Sequence, residues 1–266
     1  MTVLDDAHTM IRTYSTTWYE PVMAMPPGLQ EATACAYLLM RGIDEIEDHP
    51  DLDGPTKALL LERVARIWQT RYTPADFTAA FRGYEAVLPE VTLRLAQWSA
   101  LAPPEIGPRV VETFIAMAER MADWARHDFT IRTRTDLDRY TYAVSGTLVL
   151  LLSDLWAWHD GTRADRTHAI GYGRALQTAN ILIDRGEDTG RGVDFWPTGW
   201  GAGQMTAYVQ QDLVPADAYL AALPPGPARS FCAEPLAQAH QALARRGAVT
   251  TGHDLTPPQF SLLHRP

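Results

Sequence analysis

The sequence predicts an all-α protein, and three observations carry that prediction. No alternating β-branched run bounded by Asn-Gly or Asp-Gly is present, apolar residues recur at helical spacing almost everywhere, and Pro- and Gly-containing breaks cut the chain into helix-length segments. The first segment, 29–48, follows Met25-Pro26-Pro27-Gly28 and stops at His49-Pro50. Segment 55–71 ends before Thr73-Pro74, and 75–99 runs from that proline to Ala102-Pro103-Pro104. Segments 106–128 and 136–158 come next, the second closed by Asp160-Gly161. Segment 163–188 precedes the break from Gly199 to Gly203. Two short segments, 204–212 and 216–222, then lead to Leu223–Pro227, and 228–246 is the last. The stretch from Ala248 to Pro266 is expected to wrap the bundle or fray. With no internal repeat and no long polar Gly/Ser linker, residues 1–266 read as one domain, a single helical bundle.

The most apolar stretch, from Ala143 to Trp158, contains Ser145, Gly146, Ser153 and Asp154. It is shorter than the roughly 20 apolar residues that span a bilayer, so it reads as a buried core helix. The region from Met1 to Tyr14 carries acids early and has no continuous apolar run, so no signal peptide is expected.

The chain has 266 residues, a formal net charge of −9 and a single lysine, Lys57. It has no basic run of five or more residues, the footprint that nucleic acid or an anionic membrane surface requires. Neither partner is expected, nor is stable membrane insertion. Cys35 and Cys232 lie in apolar contexts without metal-like spacing, which predicts reduced buried thiols in a cytoplasmic protein. The histidines are scattered with no His-x-x-x-His pair, and neither a Gly-x-Ser-x-Gly elbow nor a P-loop is present.

Two acidic stripes stand out. In Arg41-Gly-Ile-Asp44-Glu-Ile-Glu47-Asp48, three acids share one helical face at Asp44, Glu47 and Asp48, with Arg41 one turn before them. In Gln177-Thr-Ala-Asn180-Ile-Leu-Ile-Asp184-Arg-Gly-Glu-Asp188, the residues Gln177, Asn180, Asp184 and Asp188 form a second stripe beside Ala179, Ile181, Leu182 and Ile183. Two carboxylates about 6 Å apart repel by roughly 3 kcal/mol at an effective dielectric near 20, and neither stripe is interleaved at i+4 with bases that relieve the cost. Oxygen ligands of this kind suit Mg²⁺, which favours one or two carboxylates together with substrate phosphates and waters. Two such stripes facing each other across a helical cavity make a diphosphate clamp.

On these residues the chain resembles the squalene/phytoene synthase family of class I isoprenoid enzymes. Tyr37-Leu-Leu-Met-Arg41-Gly-Ile-Asp44-Glu-Ile-Glu-Asp48 is similar to the family's first aspartate-rich motif. Gln177-x-x-Asn180-Ile-x-x-Asp184-x-x-Glu187-Asp188, followed by Phe195-Trp196-Pro197, is similar to its second. Tyr140-Thr-Tyr-Ala-Val144-Ser-Gly146 resembles the family's Tyr-x-x-x-Val-Ala-Gly signature, and Ala222-Leu-Pro-Pro with Arg229 through Arg246-Gly247 resembles the end of its domain.

The resemblance implies an all-α bundle of the class I isoprenoid synthase type with a central active-site cavity. It implies that Asp44 and Asp48 hold Mg²⁺ from one helix and Asn180, Asp184 and Asp188 from another, while Arg41 and Gln177 contact diphosphate oxygens. An allylic diphosphate would ionise as its leaving group is neutralised, leaving a carbocation in a dry pocket. Tyr140 matches the family tyrosine that takes part in proton removal or cation stabilisation. Trp18, Tyr19, Tyr37, Trp156 and Trp158 are further candidates to line the pocket.

Three family arginines are missing. The chain has Ser15-Thr16-Thr17-Trp18 where the family shows Ser-Arg-Ser-Phe, Ile183 before the second motif's first aspartate, and Val193 near its end, with Arg191 two residues away as a possible substitute. Each charge-assisted hydrogen bond lost costs about 1.5–3 kcal/mol, enough in sum to remove a second diphosphate site. The expectation is therefore one prenyl diphosphate and a small-molecule aromatic acceptor, such as a carbazole, in natural-product biosynthesis. The competing expectation is head-to-head coupling of two prenyl diphosphates, with Arg174, Arg185 or Arg191 supplying the missing contacts. A terpene cyclase and a non-enzymatic scaffold on the same fold are the remaining alternatives.

Overall fold

The computed structural model describes residues 2–15 and 17–249, the side chains of 246–249 excepted. All regular structure among the described residues is helical, as the sequence predicts. Packing divides the chain into two compact units, with the boundary between Asp128 and Phe129, both in left-handed backbone at φ +49°.

The first unit opens with α1 (Val3–Tyr14), closed by a reciprocal cap in which the Asp5 backbone N–H donates to Thr2 Oγ1 and the Thr2 N–H to Asp5 Oδ2. α2 (Tyr19–Met23) is a single short turn. α3 (Leu29–Glu47) is buried on every side from Ala32 onward, which makes it the central helix of this unit. Its Gly42 has no room for a Cβ, which would lie 2.6 Å from Leu95 Cδ2, and its carbonyl accepts from Thr92 Oγ1 at 2.8 Å.

α4 (Gly54–Trp68) starts from an Asp53 cap and approaches the end of α8 (Gly107–Arg126), where a Cβ on Gly54 would lie 2.4 Å from the Ala125 carbonyl oxygen. Between them the predicted segment 75–99 is not one helix. It is α5 (Pro74–Ala80), α6 (Glu90–Leu93) and α7 (Leu95–Ser99). Gly83, at φ +88°, turns the chain out of α5, and Pro89 supplies the extended residue that starts α6.

The second unit begins with α9 (Arg134–Thr141), capped by Thr133 and Asp136. One π-helical turn, Tyr142–Gly146, joins it to α10 (Thr147–Asp160), which Gly161 ends in left-handed backbone at φ +80°. The predicted core helix is therefore the π turn plus α10. No helix among the described residues is long and apolar enough to cross a membrane.

α11 (Arg166–Gly190) lies against the π turn because Gly173 allows it, an added Cβ falling 2.5 Å from the Ser145 carbonyl oxygen. α12 (Ala202–Ala222) is one helix where two segments were expected. Proline in a helix interior costs about 3 kcal/mol, but the Pro215 ring is seated on Gly171, whose missing Cβ would overlap it at 2.5 Å. α13 (Pro227–Val249) is the last described helix, and residues 250–266 of the expected wrapping tail lie outside the described residues. Cys35 and Cys232 are free and fully buried, and burial pushes both thiols up to about 12.

Candidate active site

In the first unit the candidate residues occupy the C-terminal half of α3. Arg41, Asp44, Glu45 and Glu47 are all buried, and Asp48 is the half-buried C-cap. Arg41 Nη1 donates to Asp44 Oδ2 at 3.0 Å and its Nη2 to Glu45 Oε1 at 2.5 Å, so a base does relieve this stripe. Burial pulls the Arg41 guanidinium toward neutrality, but Asp44 and Glu45 outweigh it and hold the group above its ordinary value.

Asp44, Glu45 and Glu47 form a cluster of three buried carboxylates beside one buried guanidinium. It also sits at the negative end of the α3 dipole, where each carboxylate costs roughly 0.3–1 kcal/mol and the last turn holds no base. Tyr37 is buried one turn before Arg41, with burial raising its phenol above the usual value against a Ser15 hydrogen bond that lowers it. Trp18 is half-buried, its backbone N–H donating to Ser15 Oγ at 2.8 Å. Thr16 lies outside the described residues.

The second unit repeats the pattern on α11. Asn180 and Asp188 are buried and Gln177 and Asp184 half-buried, in a helix whose last turn again has no base. Arg191, the C-cap, donates from Nη2 to Asp188 Oδ1 at 2.6 Å, so it serves an acid of the stripe. The other two cations considered as arginine substitutes are also engaged. Arg185 holds Asp194 with Nη2 at 2.7 Å and Nε at 3.2 Å. Arg174 bonds Asp138 and donates to Tyr208 Oη at 2.6 Å, with Asp212 at 3.4 Å.

Tyr140, on α9 two residues before the π turn, is buried and stacked on Phe195 with centroids 4.8 Å apart and planes 19° apart. Sequence reasoning names Tyr140 but gives Phe195 no role of its own; the adjacent Trp-Pro pair is the only local hint. The other proposed lining aromatics are engaged elsewhere. Trp156 is core, bonding Tyr219 Oη through Nε1 at 3.3 Å and meeting Phe231 edge-on. Tyr19 carries Arg12, whose Nη2 donates to its hydroxyl at 2.5 Å, and Trp158 sits 6.2 Å from the His159 ring.

The donor chemistry of each helix end fits Mg²⁺: hard oxygen ligands from carboxylates and, at Asn180, an amide. Among the described residues no three His, Cys, Asp or Glu side chains form a preassembled cage. Mg²⁺ does not need one, because it retains waters and substrate phosphate oxygens.

A sequence model of squalene/phytoene synthases matches residues 11–206. The chain is 29% identical to the 15-cis-phytoene synthase of Synechocystis sp. over 195 residues, 69% of this chain and 52% of that protein. It is 26% identical to the squalene synthase of Eremothecium gossypii (73% and 46%) and 29% to the presqualene diphosphate synthase of Botryococcus braunii (68% and 45%). It thus spans about half the length of the curated relatives it matches.

Among solved structures it superimposes on TcSQS in complex with the ligand E5700 with a TM-score of 0.73 at 19% identity, covering 91% of this chain and 78% of that one. A dehydrosqualene synthase gives 0.58 at 15%, covering 94% and 97%. These likenesses establish the fold, and the match over residues 11–206 establishes the kinship: the chain belongs to the squalene/phytoene synthase family.

Proposed function

We propose that this chain is a Mg²⁺-dependent prenyltransferase that couples two prenyl diphosphates head to head. The observation that carries the reading is the placement of the two acid-bearing stripes at the C-terminal ends of two helices, Asp44 and Asp48 ending α3 and Asp184 and Asp188 in the last turns of α11, with Asp44 and Asp188 buried. The relatives named squalene, phytoene and presqualene diphosphate synthase support coupling of two prenyl chains over transfer to an aromatic ring.

In this reading Asp44 and Asp48 hold Mg²⁺ from α3, and Asn180, Asp184 and Asp188 hold it from α11. Bound Mg²⁺ supplies neutralisation of the diphosphate leaving group. Arg41 and Gln177 bind diphosphate oxygens, and Arg191 orients Asp188 while adding positive charge beside it. Tyr37 and Trp18 line the prenyl channel. The allylic C–O bond breaks to give diphosphate and a cation, the double bond of the second prenyl diphosphate attacks it, and a proton leaves. Tyr140 faces that chemistry as cation stabiliser or proton acceptor.

One observation favours transfer to an aromatic acceptor as a second reading: Arg174, Arg185 and Arg191, the substitutes for the missing arginines, are each committed to an acid.

The test is to incubate the protein with Mg²⁺ and farnesyl or geranylgeranyl diphosphate and to follow released diphosphate and product mass. Expected is Mg²⁺-dependent release with a product carrying two prenyl chains. Products formed only when an aromatic acceptor is added would overturn the coupling reading.

A further inference from the structure

In the sequence Phe195 is one letter of a motif and Arg185 a spare cation. Packing within the second unit ties them together. The segment after α11 is held at successive points: the Val193 N–H donates to the Asp188 carbonyl at 3.0 Å, and the Thr198 N–H to the Arg132 carbonyl at 3.2 Å. Between these anchors Arg185 grips both carboxylate oxygens of Asp194 and lies 3.9 Å from the Trp196 ring centroid. Asp194 Oδ1 also accepts the Trp196 backbone N–H at 3.0 Å, and Trp196 Nε1 donates to the Ile181 carbonyl at 3.1 Å. Phe195 is thus fixed on both sides.

Its ring has one buried seat. It lies parallel to Tyr140, with Phe129 edge-on at 6.1 Å and 69°. A tyrosine hydroxyl lies on the Cβ–Cγ axis, so turning χ2 leaves it in place and only χ1 or a backbone shift moves it. A ring stacked on one face of Tyr140 blocks a χ1 swing toward that face. Three of the anchoring groups, Ile181, Arg185 and Asp188, belong to the last turns of α11, the stretch that carries Asp184.

We propose that Arg185, Asp194 and Trp196 form a clamp that seats Phe195 against Tyr140, making Phe195 a positioning residue for the reaction; the catalytic part rests on the role given to Tyr140 above. The clamp takes Arg185 out of substrate binding and gives it a different task. It connects the acid-bearing end of α11 to the tyrosine, so the two parts of the chemistry in this unit share one support.

The test uses the full chain labelled with 3-fluorotyrosine, the Tyr140 resonance being identified by its loss in Tyr140→Phe. Phe195→Leu and Arg185→Met are both expected to move that resonance out of its stacked, ring-current-shifted position, with Arg185→Lys restoring it in part because a lysine holds only one of the two Asp194 oxygens. In turnover, Phe195→Leu lowers kcat by about 10-fold and leaves KM within about 2-fold. Arg185→Met acts in the same direction, and the double variant is no slower than Phe195→Leu alone, since both act through one contact.

An unmoved resonance in Arg185→Met overturns the clamp. A moved resonance with unchanged kcat overturns the positioning role, and so do additive losses that simply follow thermal stability. Absence of diphosphate release from the unsubstituted protein overturns the proposed function and the catalytic meaning of the clamp, while the resonance still decides the clamp itself.

Discussion

Replacing Arg41 with methionine tests the electrostatics of α3 most sharply. The guanidinium is 3% exposed, and its two carboxylate partners, Asp44 and Glu45, are at 6% and 4%. Methionine fills much of the arginine stem but leaves those carboxylates, with Glu47, buried at the negative end of a helix dipole. Removing one partner of a buried ion pair costs about 3–5 kcal/mol. For a chain of this size that corresponds to a fall in Tm on the order of 10 °C. Equilibrium urea unfolding at pH 7.5 measures the loss directly. Adding Glu45→Gln to Arg41→Met removes one of the charges that Arg41 pairs with, so the double variant loses less than the sum of the two single losses. Because Arg41 occupies Asp44 Oδ2, Mg²⁺ alone is expected to stabilise Arg41→Met more than the unsubstituted protein. A loss below about 1 kcal/mol, or strict additivity, would refute the reasoning.

Asp184→Asn is expected to abolish Mg²⁺-dependent diphosphate release while leaving circular dichroism and Tm nearly unchanged, since the side chain is half-exposed; near-normal turnover removes the metal assignment. Gly173→Ala places a Cβ 2.5 Å from the Ser145 carbonyl oxygen and 2.9 Å from Gly146 Cα, backbone atoms that cannot rotate away. A loss of about 1–3 kcal/mol in urea unfolding follows, and a neutral result contradicts the packing argument. Asp212 is pushed up to about 6, chiefly by burial, with Arg174 opposing and Asp138 adding. The native chain therefore holds this proton between pH 4 and 6 where the unfolded chain does not. Its contribution favours folding below pH 4 and is lost as pH rises through 6, by on the order of 3 kcal/mol. Stability of Asp212→Asn minus that of the parent should rise by about this amount from pH 4 to 7, and a flat difference would count against it.

What the sequence made legible was local. The stripes at Asp44/Asp48 and Asn180/Asp184/Asp188 follow from helical periodicity, and Pro and Gly mark the ends of several helices, such as Gly28 before α3 and Gly161 after α10. α1 was missed although its signals are present: the Thr2-x-x-Asp5 cap and the buried face Ala7, Met10, Ile11. Segment 75–99 was read through Gly83 because one glycine does not announce its backbone angle. Segments 204–212 and 216–222 form one helix through Pro215, which the sequence does not announce because the glycine that accommodates that ring, Gly171, is 44 positions away. The site was legible in its acids but not in its pairings. Arg174 meets Asp138 and Asp212 across separations of 36 and 38 residues, and Tyr140 on α9 meets Phe195 in the segment after α11. Such partners are chosen by packing, which no local pattern encodes.

The central claim is that two prenyl diphosphates bind for coupling. The most direct measurement is calorimetric titration of the full chain with a non-ionisable thiolo analogue of farnesyl diphosphate in the presence of Mg²⁺. Two analogue molecules are expected per chain, both lost when Mg²⁺ is removed. A single molecule per chain at saturation would contradict head-to-head coupling and return the protein to transfer onto an acceptor without a diphosphate.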